Sequence, residues 1–218
     1  MEKRNGSHLK PGVILLGGGL DSGALLYWLH VRKVPLEALW VDYGQKAAFG
    51  ELSAVLGMCD RTGTKLHRVE IQLNDLSTCA LLHGRKPNKK NSSRLNKLEA
   101  RNVIFVGLAA MLAATNGLRC VYVGYHKEPI RAPFPDATPL ARSMMSLLLG
   151  IACRPRIELV APFEEKSRQE ILALGLKLNP ELHYQTFTCY EGELEAECGK
   201  CAHCKRKARM LKHVRHSS

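Results

Sequence analysis

The chain has 218 residues, 45% of them hydrophobic and 24% charged, the balance of a soluble globular domain rather than a disordered or fibrous one. A chain this long buries enough surface to fold without disulfide staples. Its formal net charge of +12 points to anionic partners such as nucleotides, phosphates or nucleic acid, and its longest strongly apolar stretch, residues 103–114, is too short to span a bilayer.

Residues 13–16 form a continuous apolar run after Pro11-Gly12, the pattern of a strand buried on both faces. A glycine-rich loop follows, and a helix is predicted over 24–31. Residues 36–41 are the next apolar run, closed by Asp42-Tyr43-Gly44, with a helix over about 45–60 behind it. Residues 66–73 alternate in period two, as a more exposed strand does. No element is legible in 74–98, a length that reads as a functional lid or a mobile segment. Arg101-Asn102 opens a strongly apolar helix to about 116, with Asn102 as its predicted N-cap. A strand over 120–124, a proline-rich loop, a helix over 140–152 and a strand over 157–161 come next. The last core helix is predicted over 166–174, stopped near Gly175.

Strands separated by helices predict an α/β fold, a parallel sheet with helices on both faces. Ligands of such sheets lie at the carboxyl ends of the strands, so the loops after Leu16, Val41 and Gly124 are the ones to search. The predicted division is a nucleotide-binding domain over 1–181 and a small metal-binding segment with a basic helix over 182–218.

Gly17-Gly18-Gly19-Leu20-Asp21-Ser22-Gly23 sits between a strand and a helix. Glycines let the backbone approach an anion, and the helix turns free N–H groups and its positive end toward it. Ser22 offers a hydroxyl to phosphate, and Asp21 offers a carboxylate to Mg²⁺. The loop is neither the dinucleotide fingerprint nor the Gly-Lys-Ser/Thr P-loop; the bland alternative is a plain glycine-rich turn.

Cys189-x8-Cys198-x2-Cys201-x2-Cys204 brings four thiolates within sixteen residues, the ligand set of a closed tetrahedral Zn²⁺ site. An iron–sulfur cluster uses the same set and stays open as an alternative. Cys59, Cys120 and Cys153 fall in or beside apolar elements and read as inert buried thiols, while Cys79 has no assigned role. The N-terminus lacks the apolar core of a secretory signal, so a cytoplasmic location is expected, where clustered cysteines favour metal over disulfides. Seven basic residues between Arg85 and Arg101 face a single acid, and the stretch from Lys205 to Arg215 is basic with no acid; both read equally as solvated faces or polyanion contacts.

The glycine loop resembles the PP-loop of the ATP pyrophosphatases, whose usual form is Ser-Gly-Gly-x-Asp-Ser; here Gly17 stands at the first serine. With Asp42-Tyr43-Gly44-Gln45, Ala100-Arg101-Asn102, Thr188-Cys189-Tyr190 and Cys198-Gly199-x-Cys201, the chain is similar to the 7-cyano-7-deazaguanine synthase (QueC) family from about residue 12 to 210. Pro135-Asp136 and Lys166-x-x-x-Glu170 also resemble family positions.

The resemblance implies an adenine nucleotide α-hydrolase-like fold, ATP and Mg²⁺ as co-reactants, one structural Zn²⁺ and a homodimer. The implied reaction adenylates the carboxylate of 7-carboxy-7-deazaguanine and amidates it with ammonia, going on to the nitrile. The implied catalytic residues are Asp21, Ser22, Arg101 and Lys166. The nucleotide is expected at Leu16, Gly17, Gly18, Gly19, Leu20, Asp21, Ser22, Asp42, Tyr43, Gln45 and Arg101. The deazaguanine is expected at Asn102, His126 and Asp136, a carboxylate pairing well with guanine-type N–H donors, and the metal at Cys189, Cys198, Cys201 and Cys204. Residues 124–130 and the basic segments depart from the family pattern. They leave two alternatives open: transfer of the activated acyl group to an amine of a protein or nucleic acid, and a tRNA-modifying PP-loop enzyme.

Overall fold

The computed structural model describes residues 9–73, 79, 82, 98–127, 135–190 and 196–216, with side chains to 214. Most of the loop over 74–98 and the basic stretch within it lie outside the described residues. Five parallel strands, β1 (Gly12–Leu15), β2 (Leu36–Asp42), β3 (Lys65–Glu70), β4 (Cys120–Tyr122) and β5 (Glu158–Val160), form one sheet in the order β3-β2-β1-β4-β5. The order reverses between β1 and β4, which makes their carboxyl ends the switch point.

Both sheet faces are covered. Ile14, Ala38, Trp40, Cys120 and Tyr122 turn to the layer of α1 (Leu20–His30), α2 (Ala48–Thr62) and Ile171 and Leu172 of the helix Arg168–Leu178. Val13, Leu39, Val41, Val121 and Leu159 turn to the helices Arg101–Thr115 (α3) and Pro139–Ala152 (α4). Neighbours in sequence point to opposite faces, so the apolar runs read from the sequence are strands buried on both sides. Thr138 caps α4, its hydroxyl accepting from Ala141 N, with Pro139 in the first turn.

Several boundaries move, each for a local reason. Helix α1 begins at Leu20, four residues before the predicted start, so the last residues of the glycine loop form its first turn. Helix α2 begins at Ala48 because the Gln45 side chain is buried in the preceding loop, accepting from Tyr43 N and donating to Val41 O. The helix after β5, α5 (Arg168–Leu178), runs past Gly175, where the missing side chain admits Ala24 and Leu182. Two C-terminal helices follow, α6 (Leu182–Gln185), which the pattern did not suggest, and the basic α7 (Ala202–His216).

Asn102 is not the cap of α3. Ala100 holds that position at φ +56°, and Asn102 is the second helical residue. The cap comes from elsewhere: the Asp136 carboxylate accepts from Asn102 N at 3.0 Å and from its Nδ2 at 3.1 Å. A carboxylate at a helix N-terminus satisfies a free donor and opposes the dipole.

Candidate functional site

A cavity of about 340 Å³ opens at the carboxyl ends of β1, β2 and β4, lined among others by Leu16, Gly17, Gly19, Leu20, Asp21 and Ser22. Gly19 caps α1 with no side-chain bond, so the free N–H groups of the first turn are left for a ligand. Gly18 holds φ +75° with Glu51 O only 2.8 Å from where a side chain would begin; its carbonyl accepts from Phe187 N at 2.9 Å. Gly124, at the end of β4, lets that strand approach Ser22 N, which would stand 3.1 Å from an added Cβ. At Gly17 nothing lies within 4 Å of an added Cβ, so the fold leaves room for the serine of the usual loop.

Arg101 enters from the first turn of α3. Its Nη1 donates to the Tyr43 hydroxyl at 3.0 Å, and the guanidinium lies 5.5 and 5.8 Å from the Tyr43 and Phe105 ring centres. Burial works against its charge, but Tyr43, Tyr190 and Glu51 more than offset that and hold its pKa above the ordinary value. Burial pushes the Tyr43 hydroxyl up as well, so Tyr43 stays neutral and accepts that bond.

On the other side of the loop, Arg168 Nε donates to His126 Nε2 at 2.9 Å and stands 3.5 Å from Asp21 Oδ2. A guanidinium N–H only donates, so the His126 ring nitrogen is the acceptor of that bond. Asp21 Oδ2 is 3.8 Å from the same ring nitrogen. The loop thus lies between two guanidinium groups, with an acid at its centre.

The expected site residues separate into two groups. Leu16, Gly17, Gly19, Leu20, Asp21, Ser22, Tyr43, Arg101 and Asn102 line the cavity. Gly18, Asp42, Gln45, Lys166, His126 and Asp136 are not among its lining residues. Asp42 Oδ1 accepts from Gly44 N, and Gln45 donates to Glu51 Oε2, so both brace the loop after β2. His126 lines a smaller neighbouring pocket of about 80 Å³ and meets the main site only through Arg168 and Asp21. Asp136 is committed to capping α3. Replacing it by alanine is expected to destabilise the fold by about 1 kcal/mol, read as a urea midpoint shift. A residue that only reads substrate would show a weaker KM with an unchanged midpoint.

The side chain two residues beyond Lys166 occupies the site instead. Ser167 and Glu170 form a capping box, Ser167 N and Oγ both donating to Glu170 Oε2, which lowers the Glu170 pKa. That box makes Arg168 the first residue of α5 and the one that faces the cavity. Its signature, Ser-x-x-Glu, was legible in the sequence and identifies the helix start better than the first basic residue does. Glu51, which the sequence pattern does not single out, also lines the cavity, and burial raises its pKa although Gln45 and Arg101 pull it down.

The C-terminal segment supplies one wall. Phe187, Thr188, Tyr190, His203, Arg206, Lys207 and Met210 all line the cavity. Lys207, itself buried, donates to Thr186 O at 2.7 Å and to Glu197 Oε2 at 3.1 Å; Glu197 Oε1 accepts from the Thr188 hydroxyl at 2.8 Å. Beside this clamp the sulfur atoms of Cys189, Cys198, Cys201 and Cys204 lie within 4.8 Å of one another. The Cys198–Cys204 and Cys201–Cys204 separations are 3.9 and 3.4 Å. Tetrahedral zinc with ~2.3 Å bonds needs sulfurs roughly 3.8 Å apart, so this set fits Zn²⁺. The N–H groups of Cys201 and Lys200 hold the Cys198 thiol down to about 6, favouring the thiolate that binds metal.

Residues 11–215 match the family model described as "Queuosine biosynthesis protein QueC". The chain belongs to the QueC family. It is 30% identical to a 7-cyano-7-deazaguanine synthase of Leptospira interrogans over 203 residues, covering 88% of this chain and 82% of the relative. It is 28% identical to one of Methanobrevibacter smithii, covering 93% of each chain, and 30% to one of Marinobacter nauticus, covering 88% of each. Among solved structures, a 4-thiouridine synthetase–RNA complex with bound ATP overlays 94% of this chain and 50% of its own at TM-score 0.49 and 15% identity. Among the described residues, no helix is long and apolar enough to cross a membrane.

Proposed function

We propose that this QueC-family chain is an ATP-dependent ligase that adenylates the carboxylate of 7-carboxy-7-deazaguanine, amidates it with ammonia and dehydrates the amide to the nitrile. The observation that carries the reading is the uncapped start of α1, set between Arg101 and Arg168 at the edge of a cavity lined by Phe105, Trp40 and Phe187. Free N–H groups and two cations are a seat for a leaving pyrophosphate, and the aromatic walls suit flat bases.

In the first step a substrate carboxylate oxygen attacks the α-phosphorus of ATP, and pyrophosphate leaves. The loop N–H groups, Ser22, Arg101 and Arg168 take up its developing charge. Asp21 would hold Mg²⁺, which supplies further charge neutralisation when bound. Ammonia then attacks the acyl carbon and AMP departs, leaving the amide. In a second round the amide oxygen takes the adenylyl group of another ATP; loss of AMP and two protons leaves the nitrile. No protein nucleophile is required. Zn²⁺ held by the four cysteines would be structural, because a closed thiolate shell leaves no open position.

Mass spectrometry of a reaction with ATP, Mg²⁺, 7-carboxy-7-deazaguanine and ammonium tests this reading. The expected result is the nitrile, with two AMP and two pyrophosphate for each. Pyrophosphate release that ignores the acid would overturn it. One observation favours a second acceptor: Arg206 lines the cavity, and Lys205, Arg209 and Lys212 of the same helix are exposed. An anionic macromolecule bearing an amine would meet that face, and the same reaction would then stop at the adenylate until that acceptor is added.

A further inference from the structure

Two carboxylates line the cavity among the described residues, Asp21 in the glycine loop and Glu51 in the first turn of α2. The reaction proposed above gives Asp21 a role and leaves Glu51 without one. Glu51 sits deep in the fold, yet part of its side chain stays accessible at the cavity. Gln45 Nε2 donates to its Oε2 at 2.9 Å, and Gln45 is itself held by Tyr43 N and Val41 O, so the carboxylate is fixed in direction. Arg101 acts on it through space, but among the described residues no cation pairs with it. An ionised carboxyl has about four acceptor positions, and a charge this deep is costly unless donors fill them. A ligand is the source of the missing donors.

The side chain beside it lacks the opposite kind of partner. Trp40, on β2, is 4% exposed and also lines the cavity, and its indole N–H has no hydrogen-bond partner of good geometry. It lies close enough to Glu51 to favour the ionised carboxyl. Buried N–H groups are almost always paired, because one left unpaired forfeits its bonds to water. An unfilled acceptor and an unfilled donor thus stand side by side at one wall. Tyr43, Phe105, Phe187 and Tyr190 supply flat neighbours for a ring that meets them.

That pairing selects a base edge. A guanine-type ring presents a carbonyl oxygen, a ring N–H and an exocyclic amino group in a row, one acceptor followed by two donors. A carboxylate takes both donors at once, and a neighbouring N–H takes the carbonyl. An adenine edge presents one donor beside one acceptor, which a neutral amide serves without burying a charge. Asp136, the carboxylate that the motif offers for this task, is committed to the start of α3. We propose that Glu51 and Trp40 read the amino-lactam edge of the 7-deazaguanine substrate. The Glu51 carboxylate accepts from N1–H and the 2-amino group, and the Trp40 indole N–H donates to the C6 carbonyl oxygen. The identity of the ligand rests on the proposed reaction, whereas the recognition pair rests on the cavity.

Calorimetric titration of the full chain, loaded with an ATP analogue whose α- and β-phosphates are joined by methylene, tests the pair without turnover. The ligands are 7-carboxy-7-deazaguanine and the same acid lacking its 2-amino group. The wild type is expected to bind the complete acid about 10- to 100-fold more tightly, the range of one good two-point base contact. Glu51→Gln keeps the shape, but its amide Nε2 opposes one donor. It is expected to weaken the complete acid by about 10- to 100-fold and to bring the two ligands within about threefold of each other. Trp40→Phe is expected to weaken both ligands by about 3- to 10-fold, since each carries the C6 carbonyl. Affinity for the ATP analogue alone is expected to stay within about twofold in both variants. A Glu51→Gln chain that keeps the wild-type preference overturns the proposal. One that loses the ATP analogue instead also overturns it, by giving the pair to adenine, and so does a wild type that does not bind the acid. Tight, edge-selective binding without acid-dependent pyrophosphate release supports the pair and overturns only the reaction.

Discussion

Replacing Cys189 by serine is expected to release the metal and, with it, the wall that closes the cavity. Cys189 is buried in a small cluster with Ala47, Phe187 and Cys204, too few apolar groups to hold a segment alone. Phe187, two residues earlier, bonds the glycine loop through Gly18 O. Glu197, beside Cys198, ties Thr188 and Lys207 together. One bond network therefore runs from the thiolates to the loop that would hold pyrophosphate. A structural zinc contributes on the order of 10 kcal/mol to ordering its ligand loop, more than a domain's whole net stability in many cases. The expected result is metal content falling from about one per chain to near zero, proteolytic cleavage appearing near residues 186–190, and ATP-dependent turnover down by about 100-fold or more. Metal retained at full stoichiometry with turnover intact would mean that these thiols do not share an ion.

The strands and the glycine loop were legible because buried parallel strands are continuous apolar runs and because glycine at a strand end has few other uses. The four cysteines were legible from spacing alone, and their sulfurs do converge. What the chain pattern hides is which polar side chains satisfy one another. Asp136 resembles a substrate residue by motif, yet its carboxylate is taken by the start of α3, thirty-four positions away. Gln45 and Asp42 flank the site in sequence, but their side chains hold the loop rather than face the cavity. The family motif points to Lys166, whereas the Ser167–Glu170 capping box starts the helix at Arg168 and turns that side chain to the cavity. Glu51 lies mid-pattern on an amphipathic helix, where period alone gives an acid no reason to be buried.

Replacing Arg101 by alanine is expected to cost more activity than any other single change in the cavity. The guanidinium is preorganised, bonded to Tyr43 and set over two rings, so it needs no rearrangement when charge develops on a leaving pyrophosphate. Loss of one such donor typically lowers kcat by about 100- to 1000-fold, roughly 3–4 kcal/mol. A pH signature should accompany it. In the wild type burial raises the Glu51 pKa while Arg101 pulls it back. Without Arg101 the pKa rises further. A carboxyl whose folded pKa lies above its unfolded value contributes stability below the unfolded pKa and loses it as pH rises through the folded one. Arg101→Ala should therefore lose stability more steeply than the wild type as pH rises above the ordinary carboxylate range. Thermal melts across that range measure it, and adding Glu51→Gln should flatten the slope. A slope that survives the second substitution would place the responsible proton elsewhere, and an Arg101→Ala chain with wild-type pyrophosphate release would remove Arg101 from the site's chemistry.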